Sequence, residues 1–179
     1  MEKHMLTTFK KRMSEIIGLN LISIFYQPTE EILGDNILIL NFGENDKKII
    51  ASLHIACFAK AVQGDHILFT VADEYFSSNY QRISNLEQYG ITDNLIDHTL
   101  QVLKEKTYKV KIISACVSLS GDICIQFQND VVIYVCPDCM FQGYEYYRFL
   151  DFKQKRNIAI NYIVKFFDKK IVLETRESK

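Results

Sequence analysis

Proline and glycine are scarce, at 2 and 7 residues in a chain of 179. That scarcity excludes collagen-like and low-complexity architectures, and a content of 48% apolar and 24% charged residues excludes intrinsic disorder. Charge of one sign is lacking as well. Lys plus Arg number 21 against 22 Asp plus Glu, a formal charge of -1, so no bulk field draws the chain to nucleic acid or to an anionic membrane. No apolar run is long enough to cross a bilayer, since the best N-terminal stretch, Ile16 to Tyr26, is short and holds Asn20 and Ser23. A secretory signal is not expected either, because Ser14 and Glu15 interrupt the region after Lys10, Lys11 and Arg12 where an apolar segment should stand. There is no Walker-type loop, no GxGxxG and no HExxH, which counts against nucleotide and metalloprotease chemistry.

What is present is a chain long enough to bury a core without disulfide or metal support, read here as one domain over residues 1–179. Its five cysteines, an odd count, do not resemble a secreted disulfide framework and are expected to stay reduced in a cytoplasmic protein. The balanced total hides an uneven distribution. Between Ala61 and Leu103 stand Asp65, Asp73, Glu74, Glu87, Asp93 and Asp97 with Arg82 as the sole base, a net of -5, whereas residues 104–179 carry +4. This acidic block reads either as a solvated surface or as a face for a basic partner.

Leu6, Phe9, Met13, Ile16 and Ile17 recur at three- and four-residue intervals and predict a helix ending near Gly18. The period then changes. Leu19 to Gln27, Asn36 to Phe42, Lys48 to Cys57 and Ile67 to Val71 read as strands, with Gly43-Glu44-Asn45-Asp46 as a hairpin loop. After a polar stretch from Asp73 to Gly90, a second helix near 92–106 is predicted, capped by Thr92. Tyr108 to Ser118, Asp122 to Gln128 and Val131 to Cys136 read as a meander, followed by strands at Tyr144 to Phe152, Ile158 to Phe167 and Ile171 to Glu174; Asn157 to Phe167 also fits a helix. The expected fold class is α+β, a largely antiparallel sheet with two helices. Placing Ile113, Ala115 and Val117 on one face with Ile123, Ile125 and Phe127 requires a three-residue loop, Leu119-Ser120-Gly121, with Gly121 left-handed. That register sets Cys116 opposite Cys124.

Cys136-Pro137-Asp138-Cys139 has the spacing of a redox or zinc half-site, and His54 with Cys57 offers a second pair of soft ligands. The bland reading is ordinary thiols, because a thioredoxin-like motif opens a helix after a strand and this one follows a strand in a meander. His54 within a strand is more simply a hydrogen-bonded core residue. Asp73-Glu74-Tyr75 offers paired carboxylates, but neighbours on an extended chain point opposite ways, which suits a turn better than acid/base work. The aromatic run around Tyr147 and Phe149 puts those two and Asp151 on one face and Tyr146, Arg148 and Leu150 on the other, a packing pattern rather than a base-stacking platform.

Several fragments in order carry a resemblance: Leu53-His54-Ile55-Ala56-Cys57, Asp73-Glu74-Tyr75, Gly121-Asp122-Ile123-Cys124-Ile125, Cys136-Pro137-Asp138 and Glu145-Tyr146-Tyr147-Arg148-Phe149. Together, over roughly Asn36 to Phe152, they resemble a family of small, mostly uncharacterised bacterial proteins that look like the immunity proteins of polymorphic toxins. Where that family has Trp this chain has Tyr147, and where it has Phe and Ser around Pro-Asp it has Cys136 and Cys139. The resemblance implies a non-enzymatic protein, without cofactor, that binds and blocks a cognate toxin, and the acidic block adds the expectation that this toxin presents a basic surface. Asp73, Glu74, Tyr75, Glu87, Asp93 and Asp97 are the expected contact residues. The alternatives are a small metal- or thiol-dependent protein using His54, Cys57, Cys136 and Cys139, and a ligand-free structural or adaptor domain.

Overall fold

A computed structural model describes residues 3–27, 37–45, 47–83, 94–137, 145–152, 160–167 and 170–177. Helix α1 (Lys3–Ser14) buries Leu6, Phe9 and Met13 at helical spacing, and Ile16 joins them in the turn that follows. Ile17, expected on the same face, is 46% exposed, because the helix has already ended. Gly18, at φ 84, turns the chain into β1 (Asn20–Gln27).

Next in order come β2 (Ile37–Gly43), β3 (Ala51–Ile55), β4 (Phe58–Gln63), β5 (His66–Thr70) and a short 3-10 helix (Val71–Tyr75). Helix α2 (Leu95–Thr107) leads into β6 (Ile112–Val117), β7 (Ile123–Phe127) and β8 (Val131–Cys136), then β9 (Glu145–Asp151), β10 (Ile160–Phe167) and β11 (Lys170–Glu177). Among the described residues the fold is α+β, with two α-helices and two antiparallel sheets ordered β1-β2-β3-β9-β10-β11 and β5-β4-β8-β7-β6. The predicted meander is β6-β7-β8. Residues 160–167 form a strand rather than the alternative helix.

One apolar cluster draws on both sheets: Leu40, Leu53 and Phe149 from the first, Ala61, Ile125, Phe127 and Val135 from the second. Phe9 of α1 lies 6.0 Å from Tyr147 and 6.1 Å from Phe149, ring centre to ring centre. A fully buried phenylalanine of this kind contributes about 1.5–3 kcal/mol of transfer free energy. The phenol of Tyr147 donates to the carbonyl of Gly121 at 2.7 Å, so a strand of the first sheet holds a loop of the second. At one corner the sheets also join through backbone, by Gly18 N to Ile112 O at 2.8 Å and Ile112 N to Leu19 O at 2.9 Å.

Three local features depart from the sequence-based expectation. The segment read as one strand to Cys57 ends at Ile55, and after Ala56 and Cys57 the chain enters β4 in the other sheet. Its inward positions are Ala59 and Ala61, both fully buried, so its alternation is carried by residues too small to register as a hydrophobic stripe. In the β6-β7 hairpin Cys116 does face Cys124, and Gly121 has φ 90, as expected. A bulge at Ile113, however, puts Ile112 opposite Phe127 and leaves Ile113 47% exposed. Finally, α2 is capped by Asn94, whose side chain accepts from Ile96 N at 3.2 Å; Thr92 lies outside the described residues.

Candidate functional site

Asp73, Glu74 and Tyr75 are consecutive, yet they have three different fates. The carboxylate of Asp73 accepts from Thr70 N at 3.0 Å while Thr70 Oγ1 accepts from Ala72 N at 3.4 Å, a reciprocal cap that closes the start of the 3-10 helix. Glu74 turns inward, is 6% exposed, and accepts from the phenol of Tyr26 on β1 at 2.8 Å. Tyr75 points outward and is 46% exposed. Two carboxylates of this triplet thus position the turn, and the aromatic ring is what it offers to solvent.

Beyond Tyr75 the backbone folds into a tight loop. Ser77 N donates to Gln81 O at 2.9 Å, Tyr80 N to Ser77 O at 2.8 Å, and Ile83 N to Tyr75 O at 2.8 Å. The loop is tied to α2 by a bridge between Ser77 and Asn94 and by Leu95 N donating to Phe76 O at 2.9 Å. Tyr80 stands at its tip with φ 60 and 77% exposure. A bulky side chain at positive φ costs about 1–2 kcal/mol, a conformation retained where surrounding hydrogen bonds over-determine it. Asp97 is exposed in the first turn of α2, where a carboxylate suits the positive end of the helix. Glu87 and Asp93 lie outside the described residues. One hydrogen-bonded unit therefore carries Tyr75, Tyr80 and Asp97, with Arg82 also exposed on it.

The candidate soft ligands are dispersed. His54 lies on β3 opposite Arg148 of β9, in the first sheet, whereas Cys136 ends β8 opposite Phe58 in the second. Burial, then the guanidinium of Arg148, lowers the His54 pKa from its ordinary value. Arg148 is held by Glu145 through two contacts of 2.7 and 2.9 Å. Cys57 is buried in the crossover between sheets, and burial followed by the Asp122 carboxylate pushes the Cys136 thiol up. Cys139 lies outside the described residues, and among those described no three His, Cys, Asp or Glu side chains are placed to hold a metal ion. Ser52 shares a face with His54 but donates to Asn41 Oδ1 at 2.7 Å, and Asn41 in turn donates to Ser23 Oγ at 2.8 Å. That chain is a structural tie across three strands, not a nucleophile presented to a base.

A cavity of about 390 Å³ lies between β1 and the end of α2, lined in part by Ile22, Ser23, Phe25, Lys104 and Tyr108. It contains none of the residues singled out from sequence. No family model, no curated protein and no solved structure matches this chain. Among the described residues no helix is long and apolar enough to cross a membrane.

Sequence reasoning missed Tyr80, which it absorbed into a polar stretch. The signal was Ser77-Ser78-Asn79 immediately before it, turn-forming residues that stand an aromatic at the end of a short loop.

Proposed function

We propose that this chain is a non-enzymatic cytoplasmic binding protein, an immunity protein that neutralises a cognate bacterial toxin by covering a basic surface on it. The observation that carries this reading is Tyr80, 77% exposed at φ 60 on a hydrogen-bonded loop. Backbone strain concentrates at functional positions, and exposed tyrosines are favoured anchors of protein interfaces because they bury large area at small entropic loss. Tyr75 and Asp97 belong to the same unit, and the surrounding segment is the acidic part of the chain. An acidic face accelerates capture of a basic partner and disfavours acidic competitors. Asp73 and Glu74 act in this reading as positioning residues, one capping the 3-10 helix and the other anchoring it to β1. Glu87 and Asp93 extend the acidic character along the sequence.

The test is co-expression with the product of the adjacent open reading frame, followed by co-purification and association kinetics. A complex whose formation slows with added salt and is weakened at least tenfold by Tyr80→Ala and Asp97→Lys supports the proposal. A complex indifferent to both substitutions, or no complex, overturns it.

A further inference from the structure

We propose that Cys116 and Cys124 form a reversible disulfide site on the outer face of the second sheet, closed by exchange with an oxidised low-molecular-weight thiol. The two residues are direct cross-strand partners in the β6-β7 hairpin, away from the bulge between Ile112 and Ser114. Cys116 is exposed and Cys124 partly so, whereas their backbone neighbours Ala115, Val117, Ile123 and Ile125 are buried. Both thiols therefore stand on the solvent side of the sheet, next to each other.

The strand geometry sets what this pair can do. Ser118 N donates to Asp122 O at 2.9 Å, which puts that pair at a hydrogen-bonded position of the ladder, while Asp122 N donates to Ser118 Oγ at 3.0 Å. Two residues further along each strand, Cys116 and Cys124 occupy the same kind of position, where Cα atoms stand about 5.5 Å apart. That lies inside the range of about 4.4–6.8 Å over which disulfides close. The competing partner on this face is Cys136, which extension of the Ile123–Val135 register puts opposite Asp122 and hence diagonal to Cys124. Diagonal neighbours are about 7–8 Å apart, at or beyond the closing limit. Cys57 is buried in the crossover between sheets. Among the described residues the sheet thus selects one pair.

Accessibility orders the steps. The thiolate of Cys116 attacks one sulfur of oxidised glutathione, breaking its S–S bond, releasing one reduced glutathione and leaving a mixed disulfide on Cys116. Cys124, losing its proton, then attacks the Cys116 sulfur and releases the second glutathione. The protein loses two hydrogens and the reagent gains them. Burial, then the neighbouring Cys116, pushes the Cys124 thiol up, which suits it to the second, intramolecular step, where proximity offsets a low thiolate fraction. Closing a hydrogen-bonded pair draws Cβ atoms from about 5.5 Å towards about 3.8 Å, and a bond under such strain is readily reduced. A reducing environment therefore keeps the pair as thiols, and oxidation is temporary.

The experiment treats the full chain with oxidised glutathione, blocks remaining thiols by alkylation, and maps the products by mass spectrometry after proteolysis. The expected product is a Cys116–Cys124 cross-link that returns to two free thiols in excess reduced glutathione. Cys124→Ser is expected to stop at one glutathione on Cys116. Cys116 and Cys124 both remaining open to alkylation after oxidation, or a glutathione adduct persisting on Cys116 of the unaltered chain, would overturn the proposal. So would a cross-link that survives excess reduced glutathione.

Discussion

Arg12, on the first helix, places its guanidinium 3.4 Å from the carboxylate of Asp151 at the end of β9. The Asp151 side chain is only 5% exposed, so the contact joins a half-buried cation to a buried anion. Removing the cation withdraws a charge contact from that buried carboxylate, a loss of up to about 3 kcal/mol. Arg12→Met is expected to lower unfolding stability by roughly that amount in a urea titration, while Glu15→Gln, at the less buried partner 3.2 Å from the same Arg12 and 28% exposed, changes it by under about 1 kcal/mol. Equal losses would show that burial is not what gives the Asp151 contact its strength.

The loops on either side of β7 make a matched test of backbone conformation. Gly121 closes one at φ 90 and Asp130 the other at φ 64. Gly121→Ala is expected to cost about 1 kcal/mol or more, because a side chain is unfavourable there. Asp tolerates the left-handed region, so Asp130→Gly should shift stability by no more than about 0.5 kcal/mol in either direction. Thermal unfolding of the two variants side by side checks the contrast.

Tyr80 should separate stability from binding. Tyr80→Gly relieves a strained backbone and is expected to leave the melting temperature unchanged or raise it, with a gain of at most about 1 kcal/mol. The same substitution should reduce binding of the proposed partner by tenfold or more in a calorimetric titration. A variant that melts early and still binds would assign Tyr80 to the fold instead.

His54 makes stability depend on pH in one direction. Its folded pKa is depressed, so below about pH 6.5 the unfolded chain binds the proton first, and the contribution present above that pH is lost as pH falls through the folded value. Chemical denaturation of the unaltered chain and of His54→Gln between neutral and mildly acidic pH should therefore diverge, the unaltered chain losing more stability on acidification. Parallel curves would show that His54 does not contribute.

The parts of the fold that were legible in the sequence are those written in large apolar side chains. Phe9 and Met13 mark α1, and the alternation of Ile123, Ile125 and Phe127 fixes the hairpin register well enough to place Cys116 opposite Cys124. The strand β4 was illegible because Ala59 and Ala61 fill its inward positions, and small residues suit close approach between layers without leaving a hydrophobic signature. The bulge at Ile113 was hidden because Ile112 and Ile113 are chemically alike, so pattern alone could not choose which one turns inward. At the candidate site the acids were visible and their uses were not. Nothing in the sequence distinguishes the inward Glu74 from the capping Asp73, since the partner of the first, Tyr26, is 48 residues away.

The chain leaves the first sheet after β3 and returns to it only with β9, which lies directly beside β3 and pairs Leu53 with Phe149. Until β9 is available, β3 has an open edge and Phe9 of α1 lacks the two aromatic rings it packs against. On a ribosome the N-terminal strands therefore wait through the synthesis of the whole second sheet, exposing an apolar edge that invites pairing with other chains. Such non-local closure places folding in the slow, millisecond-to-second regime of sheet proteins and makes the interval before β9 emerges the period of greatest risk of aggregation.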